Sequence, residues 1–525
     1  MNLSSIFTYI PIWLLILIAL IALLAIRDIF QNRHTIQHNF PVVGHLRYII
    51  ERIGPELRQY IVANNREELP FNRKQRSWIY ASAKKENNYQ GFGTDQDIMQ
   101  AGHVFIKPTL LGTSLKPTHP HFLYNILDKN HYTLPAAKLI GESHQRKRPY
   151  RPRSIINVSA MSYGSLSSRA IESLNKGSFL FGNYHNTGEG GLSPYHQNGA
   201  DVVFHIGTAY FGVRDEDGLF SMEKMVRLCQ DNPFIRMIEV KLSQGAKPGK
   251  GGVLPASKIT KEIAEIRHVP MGKDVNSPPY HSAFSDVQGL IDFVESIAEA
   301  TGLPVGIKSA VGKTEMWEEL AHRMAESGKG PDFITIDGGE GGTGAAPPAF
   351  ADHVSLPFVQ AFARAYKIFQ KHNLNDKITF IASGKLGLPG QAVMAFSLGA
   401  DIINVAREAM MSIGCIQAQI CHTNRCPTGI ATNNKWLESG IDPALKSQRF
   451  HNYVRTFTKE IIEITHAAGY EHPAQFTAED VEISLGDNET ATLGHHFGYQ
   501  KTLIPFKSME ELLDCPYLGH RKILE

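Results

Sequence analysis

Phe333-Ile334-Thr335-Ile336-Asp337-Gly338-Gly339-Glu340-Gly341-Gly342-Thr343-Gly344 is a short apolar, β-branched run that breaks abruptly into glycines. A run of this length bounded by glycine reads as a strand buried on both faces, as in a parallel sheet. Glycines straight after it let the backbone turn tightly or approach a ligand. The same pairing recurs from near Ser154 onward. Strand runs fall at 155–159, 179–184, 202–206, 237–241, 305–308, 333–337, 378–382 and 402–405. Helix candidates lie between them, at 168–176, 258–266, 290–300, 358–369 and 390–398. Eight strand–helix units predict an α/β protein built on a (β/α)8 barrel; pattern alone also allows an open doubly wound sheet. The clusters favour closure. Ala160-Met161-Ser162-Tyr163-Gly164, Asn186-Thr187-Gly188-Glu189-Gly190-Gly191, Ser243-Gln244-Gly245-Ala246-Lys247-Pro248-Gly249 and the 338–344 glycines all directly follow strand runs. In a barrel those ends share one face, where the active site is built.

The flanks are plainer. The 525 residues carry 53 Lys plus Arg against 51 Asp plus Glu, a balance that suggests no nucleic-acid partner. Residues 6–26 contain no charge, long enough to cross a bilayer of roughly 30 Å as a helix. No small-residue cleavage pattern follows, and Arg27 and Arg33 trail the run. The expectation is a single-pass anchor in the cell membrane with the catalytic domain in the cytoplasm; a buried core helix is the alternative. The expected organisation is an anchor at 1–26, a helical connecting region at 27–149, the barrel at 150–440 and an extension at 441–525. Stretches 486–494 and 503–507 suggest that the extension packs on the barrel.

Three of the five cysteines, Cys415, Cys421 and Cys426, crowd into twelve residues, apart from Cys229 and Cys515. Their spacing is C-x5-C-x4-C, with Pro427 next. Soft thiolates suit an iron–sulfur cluster, and three ligands suit [3Fe–4S]. Zinc with His422 as fourth ligand, or three inert thiols, are the alternatives. Ser383-Gly384-Lys385 follows the seventh run and Ala406-Arg407 the eighth, the two loops where barrels commonly bind phosphate. Lys308 closes the fifth run, where a cation either faces the negative charge of a reduced flavin or pairs with Asp337 or Glu239. Lys241 closes the fourth; with Gln244 and Lys247 it could clamp an acidic substrate, or it forms a structural ion pair. One phosphate site, with no early G-x-G-x-x-G, points to FMN rather than FAD or a nicotinamide.

Together these stretches, with Ser277-Pro278-Pro279, resemble the FMN-binding synthase domain of the glutamate synthase large subunit over roughly residues 150–435. The resemblance implies a (β/α)8 barrel holding FMN beside a [3Fe–4S] cluster. It implies reductive amination of 2-oxoglutarate with ammonia, through 2-iminoglutarate, to glutamate. It places FMN on Ala160, Met161, Ser162, Gly339, Gly341, Gly342, Thr343, Gly384, Lys385, Ala406 and Arg407, with Lys308 at the ring. It places the oxo acid on Lys241 and Gln244, with Glu189 nearby, and the cluster on Cys415, Cys421 and Cys426. The electron donor would be ferredoxin-like or a reductase subunit. Family members with a glutaminase domain begin with a nucleophilic cysteine; Met1-Asn2-Leu3 has none, so free ammonia is the expected nitrogen source. Tyr210 stands where the family tends to carry Arg, and Ser383 where an acidic residue is usual. Tyr210 motivates a competing reading with another keto or imino acid as substrate. A third reading is an electron-transfer partner at the membrane with no turnover of its own, and a fourth is another phosphate-binding barrel, which the cysteine trio argues against.

Overall fold

Eight parallel strands close into a single barrel. They are β1 (Ile156–Val158), β2 (His185–Asn186), β3 (Val202–Ile206), β4 (Ile235–Lys241), β5 (Val305–Ser309), β6 (Phe333–Asp337), β7 (Thr379–Ser383) and β8 (Ile402–Val405). β8 pairs with β1 through Ile403 opposite Ile156, which completes the ring. The computed structural model describes residues 11–31, 34–110, 134–499, 501, 506 and 508–520. It divides into two compact units, Met1–Lys74 and Gln75–Glu525.

Helices follow most strands: α1 (Ser168–Phe181), α2 (Met222–Asp231), α3 (Val287–Thr301), α4 (Glu315–Ser327), α5 (Phe358–Lys371), α6 (Pro389–Ser397) and α7 (Arg407–Ser412). Their limits are local chemistry. The Ser167 side chain accepts from Ala170 N–H to start α1, and left-handed Gly182 ends it. Asp286 and Gly302 do the same for α3. The expected second strand run is corrected here. Phe179 to Phe181 complete α1, because Ile171, Leu174, Ser178 and Phe181 form one buried helical face, and only His185 and Asn186 join the sheet. No helix separates β2 from β3, only the 3-10 turn Pro194–His196. The long helix α8 (Pro443–Ala467) packs against α1 and α6 and closes the outer layer there. The 258–266 helix is also corrected: Thr260 caps Ile263 N–H, so the helix is Lys261–Arg267, after a 3-10 turn at Ala256–Lys258. It sits in the long β4–α3 connection beside the hairpin Val253–Leu254/Val275–Asn276.

The bottom of the barrel is plugged. Ala136, Ile140 and Tyr150 pack with Val203, Met237, Phe333, Ile381 and Ile402 in one buried cluster. Charged groups around it are paired: Lys138 with Asp401 at 2.9 Å and Arg146 with Asp332 at 3.0 Å. An antiparallel sheet joins Val104–Ile106, Val481–Gly486 and Glu489–Thr492. Residues 503–505 and 507 of the expected 503–507 stretch lie outside the described residues.

In the first unit, a helix runs over Ile12–Phe30, with mean hydropathy 2.6 in its most apolar window. Residues 6–10 of the expected span lie outside the described residues. A short helix, Thr35–Asn39, and a longer one, Gly44–Leu57, follow.

Candidate active site

The C-terminal strand ends bring the glycine-rich loops together, as the sequence predicts. Gly338 N–H donates to Ser383 O, and Ser159 N–H to Val405 O, both at 2.9 Å. The β2 loop abuts the β1 loop: Gly188 has φ +64, and a Cβ there would lie 2.6 Å from Ser162 N and 2.8 Å from Met161 N.

Glu189, Lys241 and Gln244 meet. Lys241 Nζ donates to Glu189 Oε2 at 2.9 Å, and Ser277 Oγ donates to its Oε1 at 2.5 Å. Burial pushes the Glu189 carboxyl up, but the Lys241 charge and the Ser277 hydrogen bond outweigh it and hold it at about 2. Gln244 Oε1 lies 3.5 Å from Lys241 Nζ, and its amide donates to Gly342 O at 3.1 Å, tying the pair to the β6 loop. Lys247 is buried; burial and then the Lys241 charge lower its amine to about 8.

Arg267 is a site residue that sequence reasoning missed. It has no motif around it, and only the folding back of the β4–α3 connection brings it in. It donates to Tyr163 O at 2.9 Å and Ser162 Oγ at 3.3 Å and lies 5.1 Å over the Phe211 ring. Its Nε has no hydrogen-bond partner among the described residues. Burial lowers the guanidinium to about 10 against the pull of Glu189.

Lys308 Nζ lies 3.4 Å from Asp337 Oδ2, which also accepts from Gly245 N–H at 2.9 Å. Glu239 occupies the barrel interior. It accepts from Asn186 Nδ2 and His205 Nδ1, each at 2.8 Å, and from Thr335 Oγ1 at 2.7 Å. Burial pushes its carboxyl up, but these donors and the Lys308 charge prevail and hold it at about 2. Burial lowers the His205 imidazole, opposed by its hydrogen bond to Glu239 and by that carboxylate's charge.

Tyr210 is buried and serves a loop. Its hydroxyl accepts from Ser282 N–H at 3.0 Å and Ala283 N–H at 3.1 Å and donates to His281 Nδ1 at 3.2 Å. His281 Nε2 donates in turn to Lys241 O at 2.8 Å. This pair therefore braces the backbone of Lys241 from behind.

At the expected phosphate loops, Gly384 has φ +142 and a Cβ there would press on Gly338 at 3.3 Å. Burial and then Arg407 lower the Lys385 amine; burial likewise lowers Arg407, opposed by Glu408, Asp337 and Glu340. Two neighbouring half-buried cations are stabilised by an added anion. Arg407 also donates to Glu340 O. Gly339 N–H donates to Leu356 O and Gly341 N–H to Gly338 O, so those amides shape the β6 loop instead of facing a ligand. Thr343 Oγ1 accepts from Ala345 N–H at 3.4 Å.

Cys415, Cys421 and Cys426 line one pocket with Met410, Ile420 and Ile430. Among the described residues, no three His, Cys, Asp or Glu side chains converge on a single-ion position, and His422 is exposed. Burial pushes Cys415 up to about 12 and raises Cys421. At Cys426, burial is outweighed by the Ala431, Thr428 and Ile430 amides and the Thr428 hydroxyl, which lower it. A Cβ on Gly344 would lie 3.7 Å from Cys421 Cβ, so the β6 loop adjoins the cysteine loop.

A closed parallel barrel with its glycine-rich and charged loops gathered at one mouth has the layout of a barrel enzyme. The conserved region in glutamate synthase matches residues 124–471. The glutamate synthase large subunit-like protein YerD of Bacillus subtilis (strain 168) is 39% identical over 490 residues, covering 88% of this chain and 92% of that one. The chain belongs to the glutamate synthase family. An archaeal glutamate synthase (NADPH) of Methanocaldococcus jannaschii is 35% identical over 316 residues, covering 60% of this chain and 59% of that one, so this chain spans about three fifths of that relative. A solved mandelate oxidase aligns at 15% identity with a TM-score of 0.40, over 70% of this chain and 83% of that one, a likeness too slight to bear on function.

Proposed function

We propose that this chain reductively aminates 2-oxoglutarate with ammonia to glutamate, using FMN, a [3Fe–4S] cluster and a ferredoxin-like or reductase partner as electron donor. The observation that carries the reading is the charge around Glu189. Three cations, Lys241, Lys247 and Arg267, share the field of one ionised carboxylate. Surplus positive charge at a small mouth suits a dianionic oxo acid. The amines of Lys241 and Lys247 would take its carboxylates, the buried Arg267 charge would add to their field, and Glu189 would hold the cationic nitrogen of the imine formed from ammonia with loss of water. Lys247 Nζ, lowered to about 8, can give up a proton near neutral pH to that nitrogen's product. The Tyr210–His281 brace keeps Lys241 in place.

When bound, FMN supplies the hydride and the cluster the single electrons that replenish it. Gly384, Lys385, Ala406 and Arg407 would hold the phosphate, Ala160 to Ser162 and the Gly339–Thr343 loop would border the flavin, and Lys308 would face its ring. Cys415, Cys421 and Cys426 would hold the iron. Three soft thiolates lining one shared pocket suit an iron–sulfur cluster. We also read Ile12–Phe30 as a single-pass membrane anchor with the barrel in the cytoplasm; its 19 residues reach about 28 Å, and Arg27 and Asp28 lie at its end.

With a chemically reduced donor, 2-oxoglutarate and ammonium should give glutamate. Failure of every oxo acid to reoxidise the reduced flavin would end the synthase reading. Lys385→Glu, which sets a negative charge in the phosphate loop, should lower flavin affinity at least about tenfold, or about 1.4 kcal/mol. Flavin retained at wild-type occupancy after dialysis would remove Lys385 from that loop's role.

A further inference from the structure

We propose that the helix Gly44–Leu57 lies on the bilayer surface and seats one aliphatic stripe at the headgroup–acyl boundary. The proposal rests on the reading of Ile12–Phe30 as a span. Leu46, Ile49, Ile50, Ile53 and Leu57 recur at helical spacing and fall within a stripe about 100° wide. A helix of a soluble domain turns such a stripe into the core. Here all five side chains are exposed, from 39% at Leu57 to 56% at Leu46 and Ile49. The opposite face carries Arg47 and Glu51. An apolar stripe backed by a charged face, with low overall hydrophobicity, is the composition of helices that lie in a membrane interface.

Continuity with the span selects lipid as the occupant. Asp28 stands at the end of the Ile12–Phe30 helix and is buried. It accepts from Val42 N–H at 2.9 Å and from His45 Nε2 at 2.9 Å. His45 belongs to the first turn of the Gly44–Leu57 helix. These two bonds pin the start of the striped helix to the level at which the span leaves the hydrocarbon. Phe40 and Val43, in the turn between, are 63% and 70% exposed and continue the apolar surface from span to stripe. The first unit thus presents one anchor with two parts, a span and a surface-lying arm.

The test places a photoreactive benzoylphenylalanine at one exposed position of the full-length protein: Leu20, Ile50, Ile53 or Glu51. Each variant is reconstituted in vesicles of phosphatidylethanolamine and phosphatidylglycerol, irradiated and read by mass spectrometry. Lipid adducts are expected at 20, 50 and 53, and none at 51. Adducts at 20 but not at 50 or 53 would overturn the surface-helix proposal and leave the span standing. Cross-links from 50 and 53 to a second copy of the chain would overturn it in favour of a homo-interface. No lipid adduct at 20 would sink the membrane reading itself, and this proposal with it.

Discussion

Replacing Cys421 with serine should strip the protein of iron while leaving flavin bound. A serine hydroxyl is a hard, weakly acidic ligand and does not substitute for a soft thiolate. Two remaining cysteines would not retain a cluster that needs three. The loop itself should persist. Tyr80 OH donates to Cys415 O at 2.7 Å, Thr432 Oγ1 to Asn424 O at 2.6 Å, and Asn433 Nδ2 to Gly164 O at 2.9 Å, and none of these bonds involves a thiol of the trio. Iron analysis should therefore fall to background, the low-temperature paramagnetic signal of the oxidised protein should vanish, and donor-driven flavin reduction should stop. Photochemical reduction of the flavin should survive. Stoichiometric zinc without iron in wild-type protein, prepared anaerobically with iron and sulfide, would overturn the cluster.

Glu239→Gln should cost about 3–5 kcal/mol, the usual penalty for breaking a buried charge network from one side. The carboxylate takes three side-chain donors, His205 among them, and faces the Lys308 charge. An amide there turns an NH2 toward donors and leaves Lys308 with less compensation. The urea midpoint of barrel unfolding reads this, and a loss under about 1 kcal/mol would mean that the interior relaxes around the amide. The pH dependence has a definite sign. The folded carboxyl lies at about 2, below its ordinary 4.5, so its contribution is full above about 4.5 and is lost as pH falls toward 2. Wild-type protein should lose stability across that window, and Glu239→Gln should flatten the slope.

The same interior explains what was readable from sequence and what was not. Runs 202–206, 333–337 and 402–405 coincide with strands because both faces of each are buried. β2 escaped because it has two residues, both polar, and Phe179 and Phe181 before it belong to a helix. Asn186, His205, Glu239 and Thr335 look like surface residues in a sequence, yet they form a polar layer inside the barrel. For Lys308 the sequence left two acidic partners open; strand register, with Lys308 opposite Thr335 and Asp337 two residues beyond, selected Asp337. The cysteine trio was legible because its spacing is local. Arg267 was not, since its place depends on a long connection folding back over the mouth. Tyr210 read as a missing substrate contact; in the fold its hydroxyl braces a loop.

The small antiparallel sheet sets a clock on biosynthesis. Val104 pairs with Ile483, so a strand made early finds its neighbour only after about 380 further residues have been added. At roughly 5–20 residues per second, a ribosome needs about 20–75 s to deliver them. During that interval Val104–Ile106 is an unpaired edge next to an emerging apolar barrel, a state that favours chaperone capture or pairing with a neighbouring chain. Nascent chains stalled before residue 481 should therefore be protease-sensitive near residue 104, and those stalled far enough beyond residue 492 to clear the exit tunnel should not.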